Sequence, residues 1–233
     1  PAPTPARKAS PRSISVARTD RLGDTVLTLR LLRGLRRNHP RTRLVLLVPR
    51  LYAPLFAAEP SVGHVAGLPR DPSARAPVLA GIPESGPDAV FLELHPDKHL
   101  RRWAAARGFR SRVGYHGEGS LDARLLTRTL PDRRRSGLLH ETEWNARLAA
   151  RAGLDASESG YPRLEPTDAM RATAARENAG GPYIVFHADA HGNKPQWPLG
   201  HFASLAGLLA EAFGWRIILL GDRPHGDFAP PAG

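Results

Sequence analysis

Residues 13–49, SISVARTDRLGDTVLTLRLLRGLRRNHPRTRLVLLVP, decide the fold class. The stretch opens on a short β-rich run, 13–18, and crosses a polar loop into 25–37. There Val26, Leu29, Leu32 and Leu35 recur at the spacing of one helical face. Asn38, His39 and Pro40 stop that helix. Residues 44–48, LVLLV, form an unbroken aliphatic run, as a strand covered on both faces requires. Strand, loop, helix and doubly covered strand make the repeating unit of a parallel sheet, so the chain is expected to be α/β.

Outward from this unit the pattern continues. A short helix is expected over 51–58, strands over 64–68, 89–94 and 111–115, and a helix over 100–107 with Trp103 on its buried face. A further helix over 142–152 stops at Gly153. The polar, proline-containing stretch 155–166 reads as a domain linker. A helix over 168–177 follows, and the pattern restarts with a strand at 183–187, a helix at 202–213 and a strand at 216–220. Two strands do not make an independently stable sheet, so the second domain is expected to be incomplete within this chain.

Composition narrows the class. Of 233 residues, 41% are hydrophobic and 24% charged, the balance of a soluble globular protein. No apolar run approaches the roughly 20 residues of a membrane span. Residues 1–12, PAPTPARKASPR, lack the apolar core of a signal peptide and read as a disordered tail. The absence of cysteine excludes disulfides, thiolate metal sites and cysteine nucleophiles. The net charge of +11 favours anionic partners. The arginines are spread along the chain, with no helix-turn-helix pattern or aromatic stacking motif, so no nucleic-acid partner is expected.

Two strand-loop-helix junctions carry the candidate chemistry. In the first, ARTDRLGD, Gly23 would let the backbone turn tightly or approach a ligand. Asp24 stands at the helix start, either as an N-cap or as a general base at the sheet edge, two roles that can coexist. Arg18 and Arg21 have the donor geometry for bidentate phosphate binding, or, for Arg21 above all, lie on a solvated surface. In the second, HADAHGNKPQWP, residues His187, Asp189, His191, Asn193 and Lys194 precede a helix, with Pro198 near its start. A helix N-terminus beside a lysine suits a diphosphate. The plainer readings are an exposed loop charge for Lys194 and polar loop positions for the histidines. Zinc held by His187, Asp189 and His191 is compatible by count but needs the strand alternation to persist into the loop.

In this order and spacing, the chain resembles glycosyltransferase family 9, the lipopolysaccharide heptosyltransferases. Three groups of residues carry the likeness: RTDRLGDTVLTLRLLRGLRRNHP with RLVLLVP; DAVFLEL, SRVGYHGEG and HETEWNARLAARAGL; and KPQWPLGHFASLAGLLAEAFGWRIILLGD. The resemblance covers about 13–222 and implies a GT-B-type α/β fold of two Rossmann-like domains. Residues 13–154 would be the N-terminal acceptor domain, and 167–233 part of a C-terminal nucleotide-sugar-binding domain. It implies an inverting transfer of heptose from ADP-heptose to a lipopolysaccharide-core acceptor. Asp24 would be the general base, Arg18, Leu22 and Gly23 the acceptor-side loop, and Lys194, His187 and Asp189 the donor side. No metal or other cofactor is implied. The partners implied are a nucleotide-sugar donor and an anionic glycolipid acceptor, in the cytoplasm with peripheral contact at the inner membrane face. His140 and Glu141 match a recurring pair of the family.

The chain also departs from the family pattern. Two residues, Pro195 and Gln196, separate Lys194 from Trp197 where the family has one, and Ala188, Asp189 and Ala190 replace small hydroxyl or glycine residues. The later Asp-[Ser/Thr]-Gly-x-x-His motif is not in this chain. These departures motivate the alternative of a truncated, inactive remnant or a partner-binding fragment.

Overall fold

The computed structural model describes residues 10–83, 86–117, 121–158, 160–177, 180–188 and 197–221. The chain divides into two compact units, Pro1–Thr167 and Asp168–Gly233.

The first unit is a six-stranded sheet flanked by helices. Its elements are β1 (Ser13–Ala17), α1 (Leu22–Asn38), β2 (Arg43–Pro49), β3 (His64–Leu68), α2 (Ala76–Ala80), β4 (Ala89–Glu93), α3 (Lys98–Ala106), β5 (Ser111–His116), β6 (Arg128–Pro131) and α4 (Glu141–Arg151). The strand order is β3-β2-β1-β4-β5-β6, and every pairing is parallel. This is the doubly wound order, whose direction reverses between β1 and β4. Alternate side chains serve opposite faces. Ile14, Val16, Leu44, Leu46, Val48, Val90 and Leu92 join α1 and α4 in one core cluster. Ala17, Val45, Leu47, Ala66 and Phe91 join α2 and α3 in the other. The aliphatic run of β2 is fully buried from Leu44 to Val48, as a central strand covered on both faces should be.

The first unit departs from the expected pattern at 51–58 and at 128–131. The helix expected over 51–58 is a single 3₁₀ turn, Ala53–Phe56. Leu51 is 81% exposed, so a longer helix there would have little apolar face to bury. The edge strand β6, RTLP, was not foreseen, because its four residues include no buried position and no apolar run. Elsewhere α4 ends before Gly153, which takes φ +80.

Residues beyond α4 lie along the outer side of α1. Arg30 donates to the Glu158 carbonyl (2.7 Å) and Arg33 to that of Arg163 (2.6 Å), while Arg37 pairs with the Glu158 carboxylate at 2.7 Å. Gly34 makes this approach feasible, since a Cβ there would stand 2.1 Å from the Ala156 carbonyl oxygen. Gly34→Ala should therefore displace the 154–158 segment and cost about 1–3 kcal/mol, against the gain in helix propensity. Urea unfolding midpoints measure this, and an unchanged or raised midpoint would contradict the contact.

The second unit contains α5 (Asp168–Glu177), β7 (Tyr183–His187), α6 (Leu199–Phe213) and β8 (Arg216–Leu220). β7 and β8 pair in parallel from Tyr183↔Arg216 to His187↔Leu220. The helix expected over 202–213 starts earlier, because Pro198 takes the N-cap position and leads into Leu199. Phe186, Ala188, Ala203 and Ala206 are the buried apolar residues among those described in this unit, Phe186 lies 5.5 Å from the Phe202 ring, and Trp197 packs edge-on against Phe202 at 4.8 Å. Among the described residues no helix is long and apolar enough to cross a membrane.

Candidate functional site

The site of the first unit forms where the sheet order reverses. The chain leaves β1 at Arg18 and β4 at Leu94 on either side of that reversal, at the carboxyl ends of the strands, where open α/β sheets bind ligands. Arg18 is its centre. Its side chain is 1% exposed, and its guanidinium meets five oxygens of four other residues. It forks onto Asp20 (Nε–Oδ1 2.6 Å, Nη2–Oδ2 2.9 Å), donates to Glu141 Oε1 at 2.5 Å and to the Leu94 carbonyl at 3.4 Å. Asp24 completes the set at 3.4 Å from Nη2. A buried cation needs such pairing, because desolvation otherwise costs several kcal/mol. Arg18 thus pins the β1–α1 loop to the start of α4 and has no free face for a phosphate, contrary to the bidentate ligand role considered from sequence.

Asp24 sits third in α1, with a side chain that is 31% exposed. The N-cap position belongs to Arg21, which makes no side-chain cap bond, so Asp24 does not serve as the cap. Its carboxylate instead lies in the first helical turn, where the helix dipole favours negative charge. Gly23 is ordinary helix with no positive φ, and a Cβ there would meet nothing within 4 Å. The tight-turn reading of Gly23 therefore fails, while the open space beside it remains available to a ligand. Leu22 is 40% exposed at the same helix start.

A second arginine, not foreseen from sequence, stands beside Arg18. Arg134 also donates to the Leu94 carbonyl, at 2.8 Å, and forks onto Asp132 at 2.9 and 2.7 Å. Its guanidinium lies 4.5 Å over the Tyr115 ring and 3.8 Å from Glu141 Oε1. Hydrogen bonding from Arg134 holds the Asp132 carboxyl below the usual range. Burial pushes the Tyr115 phenol up, and its hydroxyl has no hydrogen-bond partner among the described residues.

Glu141 reaches the site because His140 starts α4. The His140 side chain accepts from the Thr142 amide, while Glu143 accepts from the His140 amide at 2.8 Å, a reciprocal capping box. The His-Glu pair of the sequence thus divides its labour: the histidine fixes the helix start and the glutamate engages both arginines.

His95 follows Leu94, with Nδ1 3.4 Å from Asp20 Oδ2. Burial pushes its imidazole down, Asp20 pulls it back up, and Arg134 and Arg18 push it down again. His95 should therefore titrate below its ordinary value of about 6.5 and be neutral at pH 7. Asp20→Asn, which removes the carboxylate, should lower the titration midpoint further. NMR titration of the imidazole tests this, and a midpoint above the ordinary value would contradict it.

Adjoining this cluster is a cavity of about 670 Å³, lined by Asp20, Arg50, Tyr52, Arg70 and Arg75 among others. Arg50 and Arg70 are exposed, whereas Arg75 is held by Asp97 at 2.7 Å. Asp97 in turn caps α3 and donates its amide to Glu93 Oε1 at 2.9 Å. Glu93, 0% exposed, takes Arg101 Nε on both oxygens at 2.9 and 2.8 Å. This buried ion pair was not legible in AVFLE, where the glutamate reads as a strand end.

In the second unit, His187 is the exposed last residue of β7, and α6 begins at Leu199 without a side-chain cap. Asp189, His191 and Lys194 lie outside the described residues.

No sequence-family profile matches the chain, and neither does any curated protein sequence. Solved structures do match. A glycosyl transferase family 9 structure from Veillonella parvula superposes with TM-score 0.72 at 19% identity, over 89% of this chain and 62% of that one. The E. coli heptosyltransferase WaaC with ADP gives 0.66 at 20% identity, over 91% and 68%. E. coli ADP-heptose lps heptosyltransferase II gives 0.65 at 20% identity, over 90% and 64%. The chain thus spans about two thirds of the length of each of these proteins. At this identity the likeness speaks to architecture: the fold is mixed α/β with a parallel six-stranded sheet, of the GT-B type found in those heptosyltransferase structures.

Proposed function

We propose that the protein is an inverting glycosyltransferase that moves heptose from ADP-heptose to a lipopolysaccharide-core acceptor. The observation that carries this reading is Asp24: a partly exposed carboxylate, not used as a helix cap, at the carboxyl end of β1 and beside the sheet reversal. Asp24 removes the proton from an acceptor hydroxyl as that oxygen attacks the anomeric carbon. The C–O bond to the diphosphate breaks on the opposite face, and ADP leaves with the bonding pair. Leu22 and Gly23 border the attacking oxygen, and Arg18 acts through Asp20, Asp24 and Glu141 as a positioning residue rather than a ligand contact.

The cavity bordered by exposed Arg50 and Arg70 suits an anionic glycolipid acceptor. A basic protein of net charge +11 is drawn to the anionic inner membrane face, where such an acceptor would lie. Residues 13–154 then serve the acceptor, and those from 167 onward the donor. There, Lys194 and the uncapped start of α6 would stabilise the departing diphosphate electrostatically, with His187 and Asp189 bordering it. Support for the donor comes from the fold shared with proteins whose structures were solved with ADP and with an ADP-heptose analogue.

Calorimetric titration with ADP-heptose, ADP and a uridine-diphosphate sugar tests the donor. Saturable binding of ADP-heptose, weakened about tenfold by Lys194→Ala, is expected. Binding of none of the three, or preference for the uridine sugar, would overturn the assignment.

A further inference from the structure

The arginines that are scattered along the sequence are gathered by the topology. All strands of the first unit are parallel, so each enters the sheet from the same end. Arg12 immediately precedes β1, Arg43 opens β2, Arg110 immediately precedes β5 and Arg128 opens β6. These residues therefore stand in a row at the amino ends of the strands, opposite the Arg18–Asp24 site. Arg36, in the last turn of α1, and Arg41 join them there.

Two hollows run along this end. One, of about 670 Å³, is lined by Arg12, Arg36, Arg41 and Arg43. The other, of about 940 Å³, is lined by Arg12, Arg110 and Arg128, with Asp88 as its one carboxylate. Ser10, Pro11 and Arg12 belong to both, so the hollows form one groove that turns around Arg12. Arg36 gives its N–H groups to the carbonyls of Ser61 (3.1 Å), Pro40 (2.9 Å) and Thr42 (2.9 Å), and Arg128 bonds the Arg151 carbonyl at 3.3 Å. Carbonyl partners satisfy the donors without cancelling their charge. Arg12, Arg41, Arg43 and Arg110 are solvent-exposed, Arg12 and Arg43 with interactions of their own.

Like charges gathered in this way repel one another, and a bound anion stabilises the state that gathers them. Strands lie about 4.8 Å apart, so the row from β2 to β6 spans about 19 Å, well beyond the reach of one phosphate. No aromatic side chain lines the groove, which removes the stacking platform that single-stranded nucleic acid uses. The groove presents no large exposed apolar side chain to insert among acyl chains, which does not suit a lipid surface. We propose that this groove binds a linear oligophosphate chain, with the guanidiniums on either side of Arg12 bridging successive phosphates.

Isothermal titration of the protein at low salt with tripolyphosphate and with a longer polyphosphate tests the proposal. The longer chain should bind more tightly, with an affinity that falls linearly in log[salt]. Arg41→Glu/Arg110→Glu should weaken it about tenfold or more, while Arg50→Glu/Arg70→Glu at the other end of the sheet leaves it unchanged. The milder Arg41→Gln/Arg110→Gln, with circular dichroism of both variants, separates loss of the site from loss of the fold. Polyphosphate should also raise the thermal midpoint of the unaltered protein. Binding that ignores the Arg41 and Arg110 substitutions, or that falls equally with those at Arg50 and Arg70, would overturn the proposal. So would equal affinity for an oligouridine or for phosphatidylglycerol vesicles. None of these readouts depends on sugar transfer.

Discussion

Replacing Asp24 with Asn lowers the rate of heptose transfer by roughly 10²–10⁴-fold and leaves the fold intact. The rate term follows from chemistry, since an amide cannot take the acceptor proton. The intact fold follows from geometry. Asp24 is not the cap of α1, and Arg18 keeps Asp20 and Glu141 when the Asp24 charge is removed. The helix start loses only the favourable dipole term, about 0.3–1 kcal/mol. Initial rates of acceptor-dependent ADP release, with thermal midpoints alongside, separate the two effects. A variant within about threefold of the unaltered rate would place the base elsewhere. A collapsed midpoint would make Asp24 a structural residue.

Arg101→Met has the largest expected effect on stability, a loss of about 3–5 kcal/mol. Glu93 is fully buried, and Arg101 supplies bonds to both of its oxygens; burial already pushes the Glu93 carboxyl up, and Arg101 opposes that push. Without the guanidinium the carboxylate still accepts from the Asp97 amide. The remaining space is tight, since a Cβ on Gly114 would already stand 2.7 Å from Glu93 Oε2. In the variant the folded-state carboxyl therefore lies above its unfolded value. For an acid shifted in that direction, stability is retained below the unfolded value and lost as pH rises through the folded one. Arg101→Met should consequently be less stable at neutral than at acid pH, and Glu93→Gln in the same chain should recover part of the loss. Urea unfolding across pH measures all three. A loss below about 1 kcal/mol would show that the pair is solvated.

How much was legible depended on whether a signal was local. β3, α5, β7 and β8 match their expected spans residue for residue, and β2 extends its expected span by one residue at each end, because their boundaries are written in nearby residues. β6 was missed because an exposed edge strand of four residues needs no apolar pattern. Asp24 was singled out because it belongs to a strand-loop-helix junction, but its relation to the helix start was misjudged. The cap position fell to Arg21, three residues earlier, and nothing in RLGD distinguishes the two starts.

The partners of the site were the least legible part. Glu141 meets Arg18 across 123 residues, and Arg134 meets Leu94 across 40. Neither pairing leaves a trace in spacing. The same holds for the arginine row, where each residue looks like an isolated surface charge until parallel strands bring the starts together. Arg18 shows the converse: its donor geometry suggested a phosphate ligand, and only its burial reveals that internal carboxylates consume those donors.

The most direct test of the glycosyltransferase account is to incubate the protein with ADP-heptose and a lipopolysaccharide-core acceptor and to identify the product by mass spectrometry and NMR. The account predicts an acceptor heavier by one heptose, joined with inverted anomeric configuration, and no such product from Asp24→Asn. Transfer with retained configuration, or full transfer by the Asp24 variant, would contradict it.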